Sequence, residues 1–306
     1  MTTPVLVAGA TGDLGLRIVR ELLLRESQVR VLTRPGSGHA QRLYGDDPRI
    51  EIVEAEYTDP VALTAALTGM TTVVSAVSGT RAVIVDAQLA LLAAAVAAGV
   101  ARFIPSDYSS DYRSITVGSN RNFELRREFA AALDAAPIRA TSVLNGAFTD
   151  MLTGQAPLIL FKSARVLFWS SADQVLDFTT KDDAAFVTAR VALDADAPRV
   201  VEVAGDRVTA RDIAGIMTTL TGKPHKLQWA GTTGTLLAMS KVGRLASKGT
   251  DGTFPAWQGM QYFVSMFSGQ GQLRHVGNER FAGRKWGTVR DVLAAHVGGA
   301  VGAPVG

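Results

Sequence analysis

Three glycines near the start of the chain carry its clearest chemistry. Gly9, Gly12 and Gly15 stand at three-residue spacing in Gly9-Ala10-Thr11-Gly12-Asp13-Leu14-Gly15, directly after the apolar run Val5-Leu6-Val7-Ala8. The first glycine permits a tight turn out of a strand. The second lets the backbone approach a pyrophosphate, and the third lets a helix pack closely on the strand. Leu14, Ile18 and Leu22 then follow at helical spacing. A helix starting there offers free N–H groups and the positive end of its dipole to a phosphate. A glycine-rich turn without a ligand is the plain alternative, but a bare turn has no need of three glycines in this register. Thr11, Asp13 and Leu14 are expected to border a dinucleotide together with the glycines.

The end of the second strand says which dinucleotide. NAD-binding folds usually place Asp or Glu there, to hold the ribose 2′-hydroxyl. Here the strand Val29-Arg30-Val31-Leu32 ends in Thr33-Arg34-Pro35. A guanidinium suits a 2′-phosphate by charge and by bidentate geometry. Thr33 and Arg34 therefore point to NADP(H). A solvated surface Arg is the alternative.

These groups need elements to position them. Strands are expected at 5–8, 29–32, 50–53, 72–77, 102–105 and 140–144. Helices are expected between them, including Pro60 to Leu67 behind the N-cap Asp59, Val83 to Ala98 ahead of Gly99, and Phe123 to Leu133. Alternation of this kind implies an α/β fold, a Rossmann-type doubly wound parallel sheet with helices on both faces. Residues 1–150 are assigned to it. After Asn145 the rhythm changes. Short strands at 165–169, 174–178 and 200–203 and helices at 182–193, 210–220, 235–246, 257–267 and 289–296 suggest a smaller C-terminal substrate lobe over 151–306, built partly onto the same sheet. The tail from Gly298, with its four Gly and one Pro, is expected to fray.

In open α/β sheets, ligands sit at the carboxyl ends of the strands. That rule brings Ala76, Val77 and Ser78 to the cofactor after the fourth strand, Ser106 after the fifth and Asn145 after the sixth. Tyr108 is the candidate proton donor there. It is equally readable as a loop tyrosine, and the neighbouring Asp107, Asp111 and Tyr112 as caps and turn formers. Phe148, Met151, Trp257, Met260 and Phe263 are candidates for an apolar substrate pocket, with Trp169, Met266 and Phe267 beside them. The plainer alternative makes the same residues core of the smaller lobe.

Composition excludes several classes. The chain has no cysteine, which removes disulfides, thiolate nucleophiles and Cys-based zinc sites. Its four His residues, His39, His225, His275 and His296, are far apart, so no metal is expected. Basic residues number 31 against 28 acidic and are scattered, which gives no footprint for nucleic acid. The most apolar stretch, Ala82 to Val100, is interrupted by Asp86 and Gln88 and reads as a buried crossover helix, not a membrane span. With no targeting segment read at the N-terminus, a cytoplasmic protein is expected.

The turn at Gly9 to Gly15 resembles that of the atypical short-chain dehydrogenase/reductases, as does Val31-Leu32-Thr33-Arg34. The stretch from Gln88 through Ala98-Gly99-Val100-Ala101-Arg102-Phe103-Ile104-Pro105-Ser106 is similar to the NmrA-like and isoflavone-reductase-like branch. So are Val143-Leu144-Asn145-Gly146-Ala147-Phe148 and Asn278-Glu279-Arg280-Phe281-Ala282-Gly283. The resemblance is strong in the first half and looser beyond Asp150. It implies the fold above, NADP(H) binding and a substrate cleft between the lobes.

The chain departs from that pattern at its proton chemistry. Many members of the superfamily use a Tyr-x-x-x-Lys pair, in which Lys lowers the Tyr pKa. No Tyr here has Lys four residues on. The plant reductases of the branch use a Lys in Phe-Glu-x-Lys. The matching stretch is Phe123-Glu124-Leu125-Arg126, and no Lys precedes Lys162. Arg126 stays protonated, but it could orient a carboxylate or stabilise an oxyanion. Alternatively it is a surface Arg paired with Glu124 or a neighbour.

Two functions follow. One is an NADPH-dependent reductase of a small apolar carbonyl, enone, imine or quinone. The other is a non-catalytic NmrA-like redox sensor that binds NADP(H) and changes partner affinity. Both leave open whether the chain is a monomer or a homodimer.

Overall fold

The computed structural model describes residues 3–247 and 252–301. In chain order its first elements are β1 Val5–Ala8, α1 Asp13–Leu23, β2 Val29–Thr33, α2 His39–Tyr44, β3 Ile50–Glu54, α3 Pro60–Leu67, β4 Thr72–Ser75, α4 Gln88–Ala97, β5 Arg102–Ile104, α5 Arg121–Ala135, β6 Arg139–Ala140 and β7 Ser142–Leu144. They continue as β8 Ala147–Phe148, β9 Ile159–Leu160, β10 Arg165–Phe168, β11 Leu176–Thr179, α6 Lys181–Leu193, β12 Val200–Glu202, β13 Asp206–Val208, α7 Ala210–Thr221 and β14 Lys226–Trp229. Three helices close the series: α8 Thr233–Ala246, α9 Ala256–Phe267 and α10 Val289–Val301.

The chain forms two compact units. Met1–Tyr108, Asn122–Val143 and Ala184–Val201 make the first; Ser109–Arg121, Leu144–Asp183 and Glu202–Gly306 make the second. A division at residue 150 treats each unit as one run. The chain instead returns to the first unit with 184–201, a pairing that periodicity does not encode.

The first unit contains a six-stranded sheet in the order β3-β2-β1-β4-β5-β6, with every pairing parallel. Strand β1 is fully buried along its length, as an unbroken Val-Leu-Val-Ala run at the centre of a covered sheet should be. Phe103 of β5 meets Phe129 of α5 at 5.8 Å between ring centroids. Each such buried side chain contributes about 1.5–3 kcal/mol. Helix α6 belongs to this unit from Ala184 on, and the Thr72 hydroxyl of β4 donates to its Ala192 carbonyl at 3.0 Å.

Helix caps agree with the sequence. The Asp59 carboxylate accepts from the Val61 and Ala62 amides at the start of α3, and Gly99 follows α4 at φ +71°.

Three features differ from expectation. The crossover helix opens with a π-helical turn, Ala82–Ala87, through the β-branched run Val83-Ile84-Val85. The sixth strand divides at Thr141. Its first half pairs with β5, its second half with β12, and the Thr141 hydroxyl between them accepts from Arg102 at 2.8 Å. Helix α10 runs on through Gly298 and Gly299, where fraying was expected; residues 302–306 lie outside the described residues.

The second unit holds two three-stranded sheets, β14-β10-β9 and β13-β11-β8. Its core includes Leu158, Val166, Trp169, Phe178, Met217, Phe263 and Leu293. Buried carboxylates tie its loops. Asp177 accepts from Arg207 and from the Leu273 amide. Glu202 accepts from Arg113 and from the Arg274 and His275 amides. Burial pushes the Asp177 carboxyl above its usual range, and the Leu273 amide and Arg207 oppose that shift.

Candidate functional site

The glycine turn sits between β1 and α1. Gly9 has φ +76°, and a Cβ there would lie 2.7 Å from the Ala76 carbonyl oxygen. A Cβ on Gly15 would lie 2.1 Å from the Gly9 carbonyl oxygen. Both glycines are therefore required by the protein's own packing. Gly12 differs: its Cβ would meet only the Gly9 oxygen, at 3.4 Å. Gly12 is the N-cap of α1 and no side chain caps that helix. Thr11 is half-buried and Asp13 exposed at the turn, with Asp13 paired to Arg17 one helical turn on at 2.8 Å. A cradle that stays open at Gly12, at an uncapped helix N-terminus, fits a pyrophosphate.

A residue missed in the sequence braces this turn. Tyr44, on the short helix α2, donates its buried hydroxyl to the Ala10 carbonyl at 2.6 Å. Burial pushes its pKa up to about 12. A lone aromatic in the polar stretch 34–49 was the available signal.

Arg34 follows β2, exposed, with no ion pair among the described residues. Thr33 shares a hydrogen bond with Ser37 at 2.9 Å, and Glu54 accepts from the Gly36 amide at 3.3 Å. The Arg34 charge opposes the burial that lifts Tyr57 to about 12, so the two side chains are neighbours. An unpaired guanidinium at this strand end fits a 2′-phosphate.

Beyond β4, the Ala76 amide donates to Ala8 at 2.8 Å. The Ser106 hydroxyl donates to the Val77 carbonyl at 2.6 Å, and the Ser106 amide to Gln88 Oε1 at 3.0 Å. Ala76, Val77 and Ser106 thus lie together against the glycine turn, with Ser78 exposed next to them. Arg81 reaches from the same loop to Glu128 on α5 with both terminal guanidinium nitrogens, Nη1 at 2.6 Å.

Arg126 lies on α5, half-buried. Its Nη1 donates to the Asn122 carbonyl at 3.2 Å and its buried Nε has no partner. Glu124 pairs with Arg127, so the reading of Arg126 as a partner of Glu124 does not hold. A half-buried guanidinium without an acid is suited to a developing negative charge.

Tyr108 is placed differently from the expectation for a proton donor. It is buried, its hydroxyl lacks a hydrogen-bond partner, and its near neighbour is Thr188 of α6. The Thr188 hydroxyl itself donates to Ala184 at 2.7 Å. Burial pushes the phenol well above the usual tyrosine range, which disfavours proton transfer. Asp107 beside it accepts from Ser142 at 2.6 Å, and Asp111 caps the short turn Tyr112–Ser114.

In the second unit, Asn145 is 0% exposed, yet neither end of its amide has a partner. The Thr149 hydroxyl, four residues on and also buried, is unpartnered too. Thr149 was missed in the sequence. Buried polar atoms in native proteins are nearly always satisfied, so this pair marks a place for a polar ligand atom or water.

The apolar candidates separate. Phe263 stacks on Trp169 at 5.0 Å, and Phe267 meets the same indole at 5.4 Å. These three are core. Met151 and Met260 pack at the edge of that core, and Phe148 is half-buried on β8. Trp257 lies beneath Arg121 at 4.8 Å and Arg244 at 5.4 Å, with its buried Nε1 unpartnered. A groove of about 290 Å³ runs along α1 and α2 and is lined by none of the predicted site residues. No group of three or more potential metal ligands occurs among the described residues. Nor is any described helix long and apolar enough to cross a membrane.

Residues 1–235 match the NmrA-like family. Pinoresinol reductase 1 of Arabidopsis thaliana is 32% identical over 207 residues, covering 63% of this chain and 65% of that protein. The chain thus spans a little under two thirds of that relative's length. Among solved structures, AtPrR2 with NADP+ and (+)-pinoresinol superposes with a TM-score of 0.81 at 24% identity, over 97% of this chain and 99% of that one. The NADPH-dependent quinone oxidoreductase QOR2 of Escherichia coli, complexed with NADPH, gives 0.75 at 22%, over 96% and 99%. These likenesses show the Rossmann-type fold.

Proposed function

The chain belongs to the NmrA-like family, and from that premise we propose that it binds NADP(H) in its first unit and reduces a small apolar carbonyl, enone, imine or quinone. The observation that carries the cofactor is the open cradle at Gly12, with the unpaired Arg34 at the end of the next strand. When bound, NADPH supplies a hydride. The chain's own work is to hold the reactants and to meet the charge that develops. The α1 amides take the pyrophosphate and Arg34 the 2′-phosphate. Arg126 directs its unpartnered Nε to the oxygen or nitrogen that gains charge. The proton comes from water, because a guanidinium is no proton donor for this step and Tyr108 is sequestered. Relatives named for pinoresinol and quinone reduction support a small-molecule acceptor.

One observation favours the sensor reading. With Tyr108 buried and no Lys before Lys162, neither the expected tyrosine nor a lysine in the family's place is set to pass a proton. Turnover separates the two. The test is titration with NADPH and NADH, followed by NADPH oxidation with carbonyls, enones, imines and quinones. Tight NADPH binding with turnover supports the reductase; tight binding without turnover on any acceptor supports the sensor. No binding of either nucleotide sinks both.

A further inference from the structure

Gln88 opens α4, is 1% exposed, and uses both ends of its amide. Its Nε2 donates to the Ile84 carbonyl at 2.7 Å, within the π-turn. Its Oε1 accepts from the Ser106 amide at 3.0 Å, beyond the end of β5. The Ser106 hydroxyl carries the chain of bonds on to the Val77 carbonyl at 2.6 Å. Val77 abuts the glycine turn, where a Cβ on Gly9 would stand 3.0 Å from the Val77 amide nitrogen.

The polarity of this chain is fixed. A backbone carbonyl can only accept and a backbone amide can only donate, so the side chain at 88 must offer one donor and one acceptor at once. π-Helical turns are rare and concentrate at functional sites. This one directly follows the loop 76–81, and Gln88 ties it to β5. The flanking charges, Arg81 and Asp86 on this segment and Glu128 on α5, are exposed and pair with one another.

Strands β2 and β4 lie on opposite sides of β1. With the 2′-phosphate at Arg34 beyond β2, the β4 side receives the nicotinamide half of the cofactor. We infer that Gln88 is a positioning residue for that half, setting the Val77 carbonyl and the loop after β4 through Ser106. The inference rests on the NADP(H) reading above.

Gln88→Glu tests it without changing size. A protonated Glu donates to Ile84 and accepts from Ser106; an ionised Glu can only accept, and faces a carbonyl. Dissociation constants for NADPH are measured by calorimetry for wild type, Gln88→Glu and Ser106→Ala across acid to alkaline pH. Taking variant over wild type removes the titration of the 2′-phosphate itself. The same titrations with 2′,5′-ADP, which lacks the nicotinamide half, report on the adenosine side alone.

For Gln88→Glu the NADPH ratio is expected near one at acid pH, rising about tenfold once the carboxyl ionises. The 2′,5′-ADP ratio stays flat. Ser106→Ala weakens NADPH several-fold at every pH. A flat NADPH ratio for Gln88→Glu overturns the inference, and so does equal weakening of both ligands, which would mark a general lesion. If wild type itself fails to bind NADPH, the cofactor reading has failed, and the positioning role falls with it. The wild-type titration alone tells these failures apart.

Discussion

Replacing Arg34 with Ala should convert an NADPH-preferring protein into one that hardly distinguishes NADPH from NADH. The side chain is exposed and has no ion pair to lose, so the fold should be untouched. A phosphomonoester carries about −1.5 to −2 charges. A unit charge at hydrogen-bond range is worth about 1 kcal/mol in a water-like dielectric, which gives roughly 1.5–2 kcal/mol for this pair. Charge-assisted hydrogen bonds contribute about 1.5–3 kcal/mol where the group is better shielded. A loss near 2 kcal/mol corresponds to about thirtyfold in dissociation constant. NADH, with a hydroxyl in place of the phosphate, should change less than about twofold, since it has no 2′-phosphate for Arg34 to meet. Calorimetry with both nucleotides at low and moderate salt checks this, and the NADPH effect should shrink with salt, as an exposed contact must. The reasoning is refuted if Arg34→Ala weakens both nucleotides alike, or neither.

Other substitutions probe the remaining parts. Gly12→Ala should fold normally and lose about tenfold or more in NADPH affinity. Gly15→Ala, whose Cβ would sit 2.1 Å from the Gly9 oxygen, should lower stability by about 1–3 kcal/mol or more, read as a drop in Tm. Arg126→Ala should leave NADPH binding intact and reduce kcat/KM by about 10²-fold, as removal of an oxyanion donor does; an unchanged rate on a working substrate would remove Arg126 from the chemistry. Asp212, three residues after the N-cap Thr209 of α7, closes a capping box and lies below its usual pKa because it accepts from the Thr209 hydroxyl and amide. A lowered carboxyl stabilises the fold above its unfolded pKa and loses that contribution as pH falls through the folded one. Asp212→Ala should therefore lower Tm slightly at pH 7, with the gap to wild type closing below about pH 4.

The parts of the site that were legible in the sequence are those that local spacing encodes. Gly9, Gly12 and Gly15 declare themselves because turn, close approach and helix packing each demand glycine at a fixed offset. The sheet was legible because its buried strands are short unbroken apolar runs. Tyr44, Gln88 and Thr149 were not, and the reason is shared. Their roles are set by a partner remote in sequence, or by lacking any partner, and neither leaves a periodic trace. Tyr44 meets Ala10 and Gln88 meets Ser106, 34 and 18 residues away. Nor does residue type tell pocket from core. Phe263 and Trp169 have the composition of a ligand site, and they stack on each other instead. The buried phenol of Tyr108 makes the same point from the polar side, since a loop position at a strand end does not fix where the side chain turns.

The return of residues 184–201 to the first unit has a consequence for how the protein is made. The glycine turn and five strands of the main sheet have been synthesised by Ile104, but α6, whose Ala192 carbonyl takes the Thr72 hydroxyl of β4, is still to be translated. At roughly 5–20 residues per second, the half-built sheet waits several seconds with one flank uncovered. During that interval the buried faces of β4 and β5 are open to chaperones and to other nascent chains. Slower translation between β5 and α6 should then lower the yield of native protein without altering a single residue of it.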